Sequence, residues 1–136
     1  MTETAIRHPI DERFEIGLSL TKTWPVDEAI TVAAHGTVPL PVLATPHLIF
    51  MLEDTCMLLA RPGLVSDEAT VGTAVHIDHL AGARPGDTVD VFAQLVTVRG
   101  RRLVFRVEAR NGKTMIARGL HERAVVQLGQ LNASPA

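Results

Sequence analysis

The segment from Pro46 to Arg61 predicts one long helix, and this helix limits the folds that the chain can adopt. Thr45 precedes it, and threonine is a favourable N-cap, while proline is favoured at the first helical position. Pro62-Gly63 ends the pattern, because proline cannot continue a helix. Apolar residues surround most of the circumference, so we expect the helix to be buried in the fold.

Alternating apolar and polar residues predict strands on both sides of this helix, because successive side chains of a strand point to opposite faces. One strand, Glu12 to Thr21, precedes the helix. The turn-rich segment Lys22 to Ala44 follows it and contains a short helical piece near Val26 to Ala34. After the helix come four more strands, at Thr70 to Leu80, Thr88 to Val98, Arg102 to Arg110 and Lys113 to Leu128. Alternation fails near Arg118 to Arg123, where we expect a β-bulge.

Two turn signals connect the last three strands. Arg99-Gly100 and Asn111-Gly112 each indicate a hairpin between antiparallel neighbours. An antiparallel sheet of about five strands wrapped around one long central helix is an α+β architecture. We expect residues 1–136 to form it as a single domain. The free edges of such a sheet favour pairing with a second copy of the chain.

Composition and charge narrow the class of protein. Of the 136 residues, 46% are hydrophobic, which is enough for one core. The net charge of −2, without a basic run or a set of stacking aromatics, gives no reason to expect nucleic acid as a partner. No apolar run approaches the roughly 18 residues of a membrane span, and the N-terminus lacks the apolar core of a signal peptide. We therefore expect a cytoplasmic protein without a membrane partner.

Glu53 is the first candidate functional residue, because it is an acid in an apolar row of the predicted helix. Ile49 lies one turn before it, and Cys56 and Met57 lie one turn after it. A buried acid is costly unless it is paired or has a function. Cys56, the single cysteine, is expected to be a buried structural thiol rather than a nucleophile.

His79 is the second candidate. In a regular strand it shares a face with the apolar or small residues Val71, Thr73, Val75 and Ile77, whereas His76 and Asp78 point to the other face. A histidine on the face that packs against a helix can act as acid, base or hydrogen-bond orienter, although a purely structural histidine is the alternative. His76 and His79 do not form a plausible metal pair, because an offset of three residues sends the rings to opposite faces.

Three blocks of the sequence occur in an order and spacing known from one family. They are Ala44-Thr45 followed by Glu53, then Val71-Gly-Thr-Ala followed by His79, and then Gly86 through Gly100-Arg-Arg-Leu to Gly119-x-His-Glu-Arg-Ala-Val-Val126. These blocks resemble the hot-dog-fold acyl-CoA thioesterases, and within them the subgroup similar to fluoroacetyl-CoA thioesterase. The resemblance covers Glu12 to Gln130 and implies the hot-dog fold.

The resemblance also implies roles for particular residues: Thr45, Glu53 and His79 in catalysis, and Gly72 and Arg123 in substrate binding. The implied reaction is hydrolysis of a small acyl-CoA thioester to the free acid and CoA, without a metal or another cofactor. Glu53 would act as nucleophile or as base on water, and His79 would orient or shuttle the proton. Thr45 would hold the carbonyl or the water, or would itself attack, while the helix N-terminus stabilises the oxyanion.

Two other functions stay open at this point. A hot-dog hydratase or dehydratase would use an acid and a histidine differently, but the longer hydratase signature is not found here. A non-catalytic protein that binds acyl-CoA or another small ligand would have little need of a buried glutamate. The chain also departs from the subgroup at Pro39, where the subgroup has a phenylalanine gate, so the acyl group is left open.

The spacing of Thr45 and Glu53 predicts how many chains form the site. Eight residues of helix separate them by about 12 Å, which is too far for both to reach one reacting carbon easily. We therefore expect a homodimer in which Thr45 of one subunit faces Glu53 of the other.

Overall fold

The computed structural model describes residues 8–36 and 38–133 of the chain. The helices in these ranges are α1 (Ile10–Arg13), α2 (Thr45–Ala60) and α3 (Leu128–Ala133). The strands are β1 (Ser19–Pro25), β2 (Glu68–His79), β3 (Thr88–Arg99), β4 (Arg102–Asn111) and β5 (Thr114–Gln127). Short 3₁₀ turns occur at Glu28–Ile30, Ala33–His35 and Arg61–Gly63. None of the helices in the described ranges is long and apolar enough to cross a membrane.

The five strands form one antiparallel sheet in the order β1-β3-β4-β5-β2, and α2 packs across one face of it. The core lies between the helix and the sheet: Leu48 and Leu52 of α2 and Val91 and Phe105 of the sheet are each at most 1% exposed. Burial of each such side chain away from water stabilises the folded state by about 1.5–3 kcal/mol. The α+β architecture and both predicted hairpins are thus confirmed.

The first strand begins later than its alternating pattern predicts. Instead of a strand from Glu12 to Thr21, the chain forms the short helix α1, a turn and then β1. Gly17 has φ of 96° in that turn, a conformation that glycine adopts at little cost and that ends an extended segment. Trp24-Pro25, expected in a loop, completes β1. Proline is tolerated there because β1 is an edge strand and pairs only with β3.

The start of α2 also differs from the sequence prediction. Ala44 is the N-cap residue, and no side chain in the described part of the chain caps the helix. Thr45 is already the first helical residue, so its predicted N-cap role is wrong. The hydroxyl that would otherwise cap the helix is therefore available for a partner outside it.

Only one side of α2 is buried by the sheet. On its outer side Phe50 is 57% exposed, and Ile49 and Met57 are only partly buried. The side chain of Glu53 is 39% exposed. The expectation that the helix is buried around most of its circumference is therefore wrong for a single chain, because a two-layer fold covers one face only. The apolar outer face is left without cover by the described residues.

The β-bulge expected near Arg118 to Arg123 lies on the neighbouring strand. β5 pairs with β2 and with β4 without an extra residue from Ala117 to Ala124. The extra residue is Thr73 of β2, which lies between the paired positions Gly72 and Ala74. The apolar alternation of β5 breaks for another reason: two polar residues, His121 and Arg123, occupy inward positions and are buried.

This bulge reverses the faces of β2 part of the way along the strand. After it, Ile77 and His79 face α2 and are partly buried, while His76 is exposed, as predicted. Before it the faces are exchanged: Thr70 is buried, and Val71 is 38% exposed. The prediction that Val71 and Thr73 share a face with His79 is wrong, because one extra residue inverts a pattern of period two.

Gly119 of β5 offers a test of this strand packing. A Cβ atom there would overlap the backbone of His76 and Ile77 on β2. We expect Gly119→Ala to lower the free energy of unfolding by about 3 kcal/mol or more, because backbone cannot move aside as a side chain can. Urea denaturation is the measurement. Gly82→Ala is the matched control, since its Cβ would meet only Val42 at an ordinary 3.5 Å, and equal losses in both variants would contradict the packing at Gly119.

Candidate active site

Thr45 and His79 meet at the N-terminus of α2. The Thr45 hydroxyl Oγ1 lies 2.8 Å from Nδ1 of His79, which the inward register after the bulge brings beside the helix. The hydroxyl donates to Nδ1 when that nitrogen is unprotonated and accepts from it when it carries the proton. A hydroxyl within hydrogen-bond reach of an imidazole is an arrangement suited to proton transfer.

The first turn of α2 supplies one backbone donor beside this pair. The first N–H groups of a helix lack intrahelical partners, and Pro46 has no N–H at all. The N–H groups of His47 and Leu48 bond the Ala44 carbonyl at 3.1 and 3.0 Å. Within residues 8–36 and 38–133, the N–H of Thr45 has no hydrogen-bond partner and is the donor that remains in this turn. It lies at the positive end of the helix dipole, where developing negative charge is stabilised.

Glu53 lies in a second polar cluster farther along α2. Its Oε2 is 3.5 Å from Nη1 of Arg123 and 3.8 Å from Nε2 of His121, two buried residues of β5. Gly72 of β2 lies directly opposite the carboxylate, and a Cβ at that position would overlap Glu53 Oε2. Glycine at position 72 therefore provides the space that the carboxylate occupies.

Hydrogen bonds to the neighbouring strand β2 fix the side chain of Arg123. Its Nε donates to Oγ1 of Thr70 at 2.8 Å, and its Nη2 donates to the Thr70 carbonyl at 2.9 Å. Burial lowers the pKa of Arg123, and the nearby Glu53 carboxylate acts in the opposite direction. The position predicted from sequence for substrate binding is thus buried, and much of its hydrogen-bonding capacity is directed to the fold.

His121 is a site residue that sequence reasoning missed. It is 1% exposed, and its Nδ1 lies 2.8 Å from the Ala74 carbonyl. Burial lowers the pKa of His121 most, while its hydrogen bond to Ala74 acts in the opposite direction. The signal that could have found it is parity: His121, Arg123 and Val125 alternate along β5, so a buried Val125 predicts two buried polar neighbours.

The sequence-predicted residues therefore fall into two groups in one chain. Thr45 and His79 form one pair, while Glu53, Gly72 and Arg123 form another cluster with His121. On the sheet, His121 pairs with Val75, four residues before His79, which corresponds to about 13 Å along a strand. The helix and the sheet thus separate the two groups by a similar distance.

Two further observations define the surroundings of Glu53. An open cavity of about 210 Å³ lies against Glu53, with Phe50, Met57 and Arg123 on its walls. A larger cavity of about 550 Å³ lies around His76 and Leu120 on the face of the sheet that α2 does not cover, away from both groups. Cys56 is fully buried, and burial raises its pKa to about 12, so it is a structural thiol as predicted.

A family model described as fluoroacetyl-CoA-specific thioesterase (FlK) matches residues 26–128 of this chain. The fluoroacetyl-CoA thioesterase of Streptantibioticus cattleyicolor is 42% identical over 92 residues, which cover 68% of this chain. The same alignment spans 66% of that relative, which is just under two thirds of its length.

Solved structures match the fold over most of the chain. A structure of the fluoroacetyl-CoA thioesterase FlK has a TM-score of 0.82 at 36% identity and covers 88% of this chain and 93% of that one. A Thermus thermophilus hypothetical protein, described as a thioesterase superfamily member, has a TM-score of 0.82 at 29% identity, covering 88% of both chains. A hot-dog-like protein from Thermanaerovibrio acidaminovorans matches at 24% identity with a TM-score of 0.83, covering 90% of this chain and 91% of that one, and supports the fold alone.

The long helix lying across a five-stranded antiparallel sheet is the hot-dog fold, and the similarity at 36% identity places the chain among the hot-dog thioesterases. More narrowly, the chain belongs to the fluoroacetyl-CoA-specific thioesterase family. Hydrolysis of acyl-CoA thioesters is the chemistry of this family, and the resemblance stated from the sequence is confirmed.

The two histidines of β2 give a test of the site register. We expect His79→Ala to lower kcat/KM for thioester hydrolysis by about 100-fold, since a positioned acid or base contributes about 10²- to 10⁴-fold. His76→Ala is the matched control on the same strand, because His76 is exposed on the other face. Its kcat/KM should stay within about 2-fold of the parent. Equal losses in the two variants would mean that the register after the bulge is wrong.

Proposed function

We propose that this protein hydrolyses the thioester of a small acyl-CoA to the free acid and CoA. The hydrogen bond between Thr45 and His79 at the N-terminus of α2 is the observation that carries the proposal. It brings a hydroxyl, an imidazole and a helix N-terminus together. The hydroxyl and the imidazole can transfer a proton, and the helix N-terminus can stabilise the negative charge that develops on the thioester carbonyl oxygen. Solved structures of two FlK mutants contain fluoroacetate and CoA in one case and acetyl-CoA in the other, which supports a short acyl group.

In the proposed reaction the thioester carbonyl oxygen points to the Thr45 N–H at the positive end of α2. Water attacks the carbonyl carbon while Glu53 of the partner subunit accepts its proton, and the C–S bond of the resulting tetrahedral species breaks, which produces the CoA thiolate. His79 exchanges its proton with the Thr45 hydroxyl and orients that hydroxyl toward the carbonyl. The carboxylic acid formed in this step gives its proton to the CoA thiolate, so that the products leave as carboxylate and CoA thiol, and the proton held by Glu53 leaves to solvent.

The acyl preference follows from the loop before α2. The segment 38–42 contains no aromatic residue, and Val38 and Leu40 are 46% and 52% exposed. Pro39 therefore offers no aromatic ring that could close over the acyl group. We propose that the protein accepts short unsubstituted and branched acyl groups as well as fluoroacetyl.

A thiol-release assay over a panel of acyl-CoAs tests the proposal directly. The panel contains acetyl-, fluoroacetyl-, isobutyryl- and phenylacetyl-CoA, with crotonyl-CoA as a control for hydration. CoA release from at least one short acyl-CoA, at a rate that scales with protein concentration, is the expected result. Binding without CoA release across the whole panel would support a binding protein, and hydration of crotonyl-CoA would support a hydratase.

We also propose that the active unit is a homodimer. The outer face of α2 presents Ile49, Phe50 and Met57 to solvent, and β2 is an edge strand of 12 residues with a free side. Both features favour a second copy, since exposed apolar faces and free edges promote association. A two-fold axis near Ile49 would bring Thr45 of one subunit opposite Glu53 of the other. The cytoplasmic location expected from the sequence stays a prediction.

A further inference from the structure

A buried polar layer lies behind Glu53, between α2 and the sheet. It consists of Thr70 on β2 and of His121 and Arg123 on β5, which are 7%, 1% and 6% exposed. Buried polar groups are costly unless every one of them is hydrogen-bonded. The hydrogen-bond partners in this layer therefore indicate which groups the layer orients.

The protonation state of His121 follows from its partners. The Ala74 carbonyl can only accept, so Nδ1 of His121 must carry a proton and donate to it at 2.8 Å. Nη1 of Arg123 can only donate, and it lies 3.1 Å from Nε2 of His121. Nε2 must therefore be the unprotonated acceptor. His121 is a neutral imidazole in a single tautomer, fixed from both sides.

The same bonds fix the guanidinium of Arg123. Of its five N–H groups, one on Nε and one on Nη2 bond Thr70, and one on Nη1 bonds His121. Nη1 keeps a second N–H, and Nη1 is the atom that lies 3.5 Å from Glu53 Oε2. His121 and Thr70 together thus leave this donor on the side of the carboxylate.

We propose that His121 is a positioning residue for the reaction: by accepting from Nη1 it fixes the Arg123 guanidinium, which in turn holds the Glu53 carboxylate opposite Gly72. Thr70 is the second support of the same guanidinium. Arg123 then serves the orientation of Glu53 rather than the binding of substrate. This inference rests on the proposed role of Glu53 in hydrolysis.

Two amide variants distinguish between the two hydrogen bonds of His121, one to the Ala74 carbonyl and one from Arg123. In His121→Gln the side-chain oxygen reaches the place of Nε2 and can accept from Arg123, whereas in His121→Asn the amide reaches only the place of Nδ1 and can donate to Ala74. We expect the Asn variant to lose about 10- to 100-fold in kcat with KM within about 2-fold, because a misplacement of about 1 Å can cost about 100-fold. The Gln variant should keep kcat within about 3-fold of the parent. Equal kcat values in the two variants, or an increase in KM with kcat unchanged, would overturn the proposal.

A second pair keeps the test decisive if His121→Asn does not fold. Thr70→Val removes the hydroxyl that accepts from Arg123 Nε, and Thr70→Ser retains it. We expect kcat to fall about 10-fold in the Val variant and to recover in the Ser variant, with circular dichroism and thermal unfolding to confirm that both are folded. Full activity of folded Thr70→Val would remove the layer from the reaction and overturn the proposal.

A double-mutant cycle distinguishes failure of this inference from failure of the proposed function. If Glu53→Gln alone keeps full activity, the proposed role of Glu53 is wrong, whatever His121 does. If Glu53→Gln is nearly inactive, adding His121→Asn should cause less than about a 3-fold further loss, because both changes act on the same carboxylate. Losses that multiply in the double variant would show that His121 acts independently of Glu53, and would overturn the inference.

Discussion

Glu53→Gln is expected to lower kcat for thioester hydrolysis by at least about 100-fold while the protein remains folded. The change removes the ionisable group but keeps the shape of the side chain, and a positioned general base contributes about 10²- to 10⁴-fold. The carboxylate is 39% exposed beside Arg123 Nη1 at 3.5 Å, so its loss leaves the buried guanidinium with the three bonds that the sheet supplies. Steady-state thiol release and circular dichroism are the measurements.

Glu108→Gln is the matched control for that experiment. Glu108 lies on β4 and accepts from Arg106 at 2.9 Å on the face of the sheet that α2 does not cover. The same chemical change there should leave kcat within about 2-fold, since exposed ion pairs contribute only about 0–1 kcal/mol to stability. A Glu53→Gln variant as active as Glu108→Gln would remove Glu53 from the chemistry and leave Thr45 with His79 as the reacting pair.

The sequence predicted the elements that depend on local pattern. The long helix, the two hairpins and the last four strands follow from periodicity and from turn residues such as Asn111-Gly112, and the structure has them within a few residues. The prediction of the first strand was wrong because the effects of Gly17 and Pro25 depend on the surrounding structure. One interrupts the alternation with a turn, and the other is tolerated only because its strand has a free edge.

The candidate site was predictable where a residue conflicts with its own local pattern. Glu53 in an apolar helical row and His79 on an inward strand position both conflict in this way, and each contacts another polar residue of the site. The expected deep burial of Glu53 was wrong, because helical period alone cannot tell whether the second face of a helix is covered by the same chain.

The rest of the site depends on register, which local pattern cannot give. One extra residue at Thr73 exchanges the faces of β2, so Gly72 rather than Val71 lies opposite Glu53. The sequence pattern does not indicate His121 as a site residue, because two polar residues at inward positions of β5 interrupt the apolar alternation in the same way as the end of a strand does. Only the pairing of β5 with both neighbours shows that the strand continues and that these residues are buried.

The separation of the two polar groups leads to the second large effect. Thr45 with His79 lies at the start of α2, and the Glu53 cluster lies about two turns later, which is about 12 Å along the helix. One reacting carbon cannot touch both groups of a single chain easily. If two copies pair through α2 and β2, each Thr45–His79 pair faces the Glu53 of its partner.

Mixing two inactive variants should therefore restore activity. A Thr45→Val homodimer lacks every Thr45 hydroxyl, and a Glu53→Gln homodimer lacks every Glu53 carboxylate, so both should be nearly inactive. In a heterodimer one shared site carries both changes and the other carries neither. Half of the sites in each heterodimer should thus regain the kcat of the parent, where neither parent variant contributes measurable turnover.

The experiment needs heterodimers of known amount and a control for the hydroxyl. Differently tagged subunits, exchanged and then purified through both tags, provide the heterodimer, and sedimentation gives its mass. Thr45→Ser, which retains the hydroxyl next to His79, should keep most of the parent activity and should gain nothing from mixing with parent subunits. No recovery in verified Thr45→Val and Glu53→Gln heterodimers would mean that both residues serve the same subunit's site. The 12 Å gap would then have to be closed by a movement of one chain, and the apolar outer face of α2 would need another explanation than a shared active site.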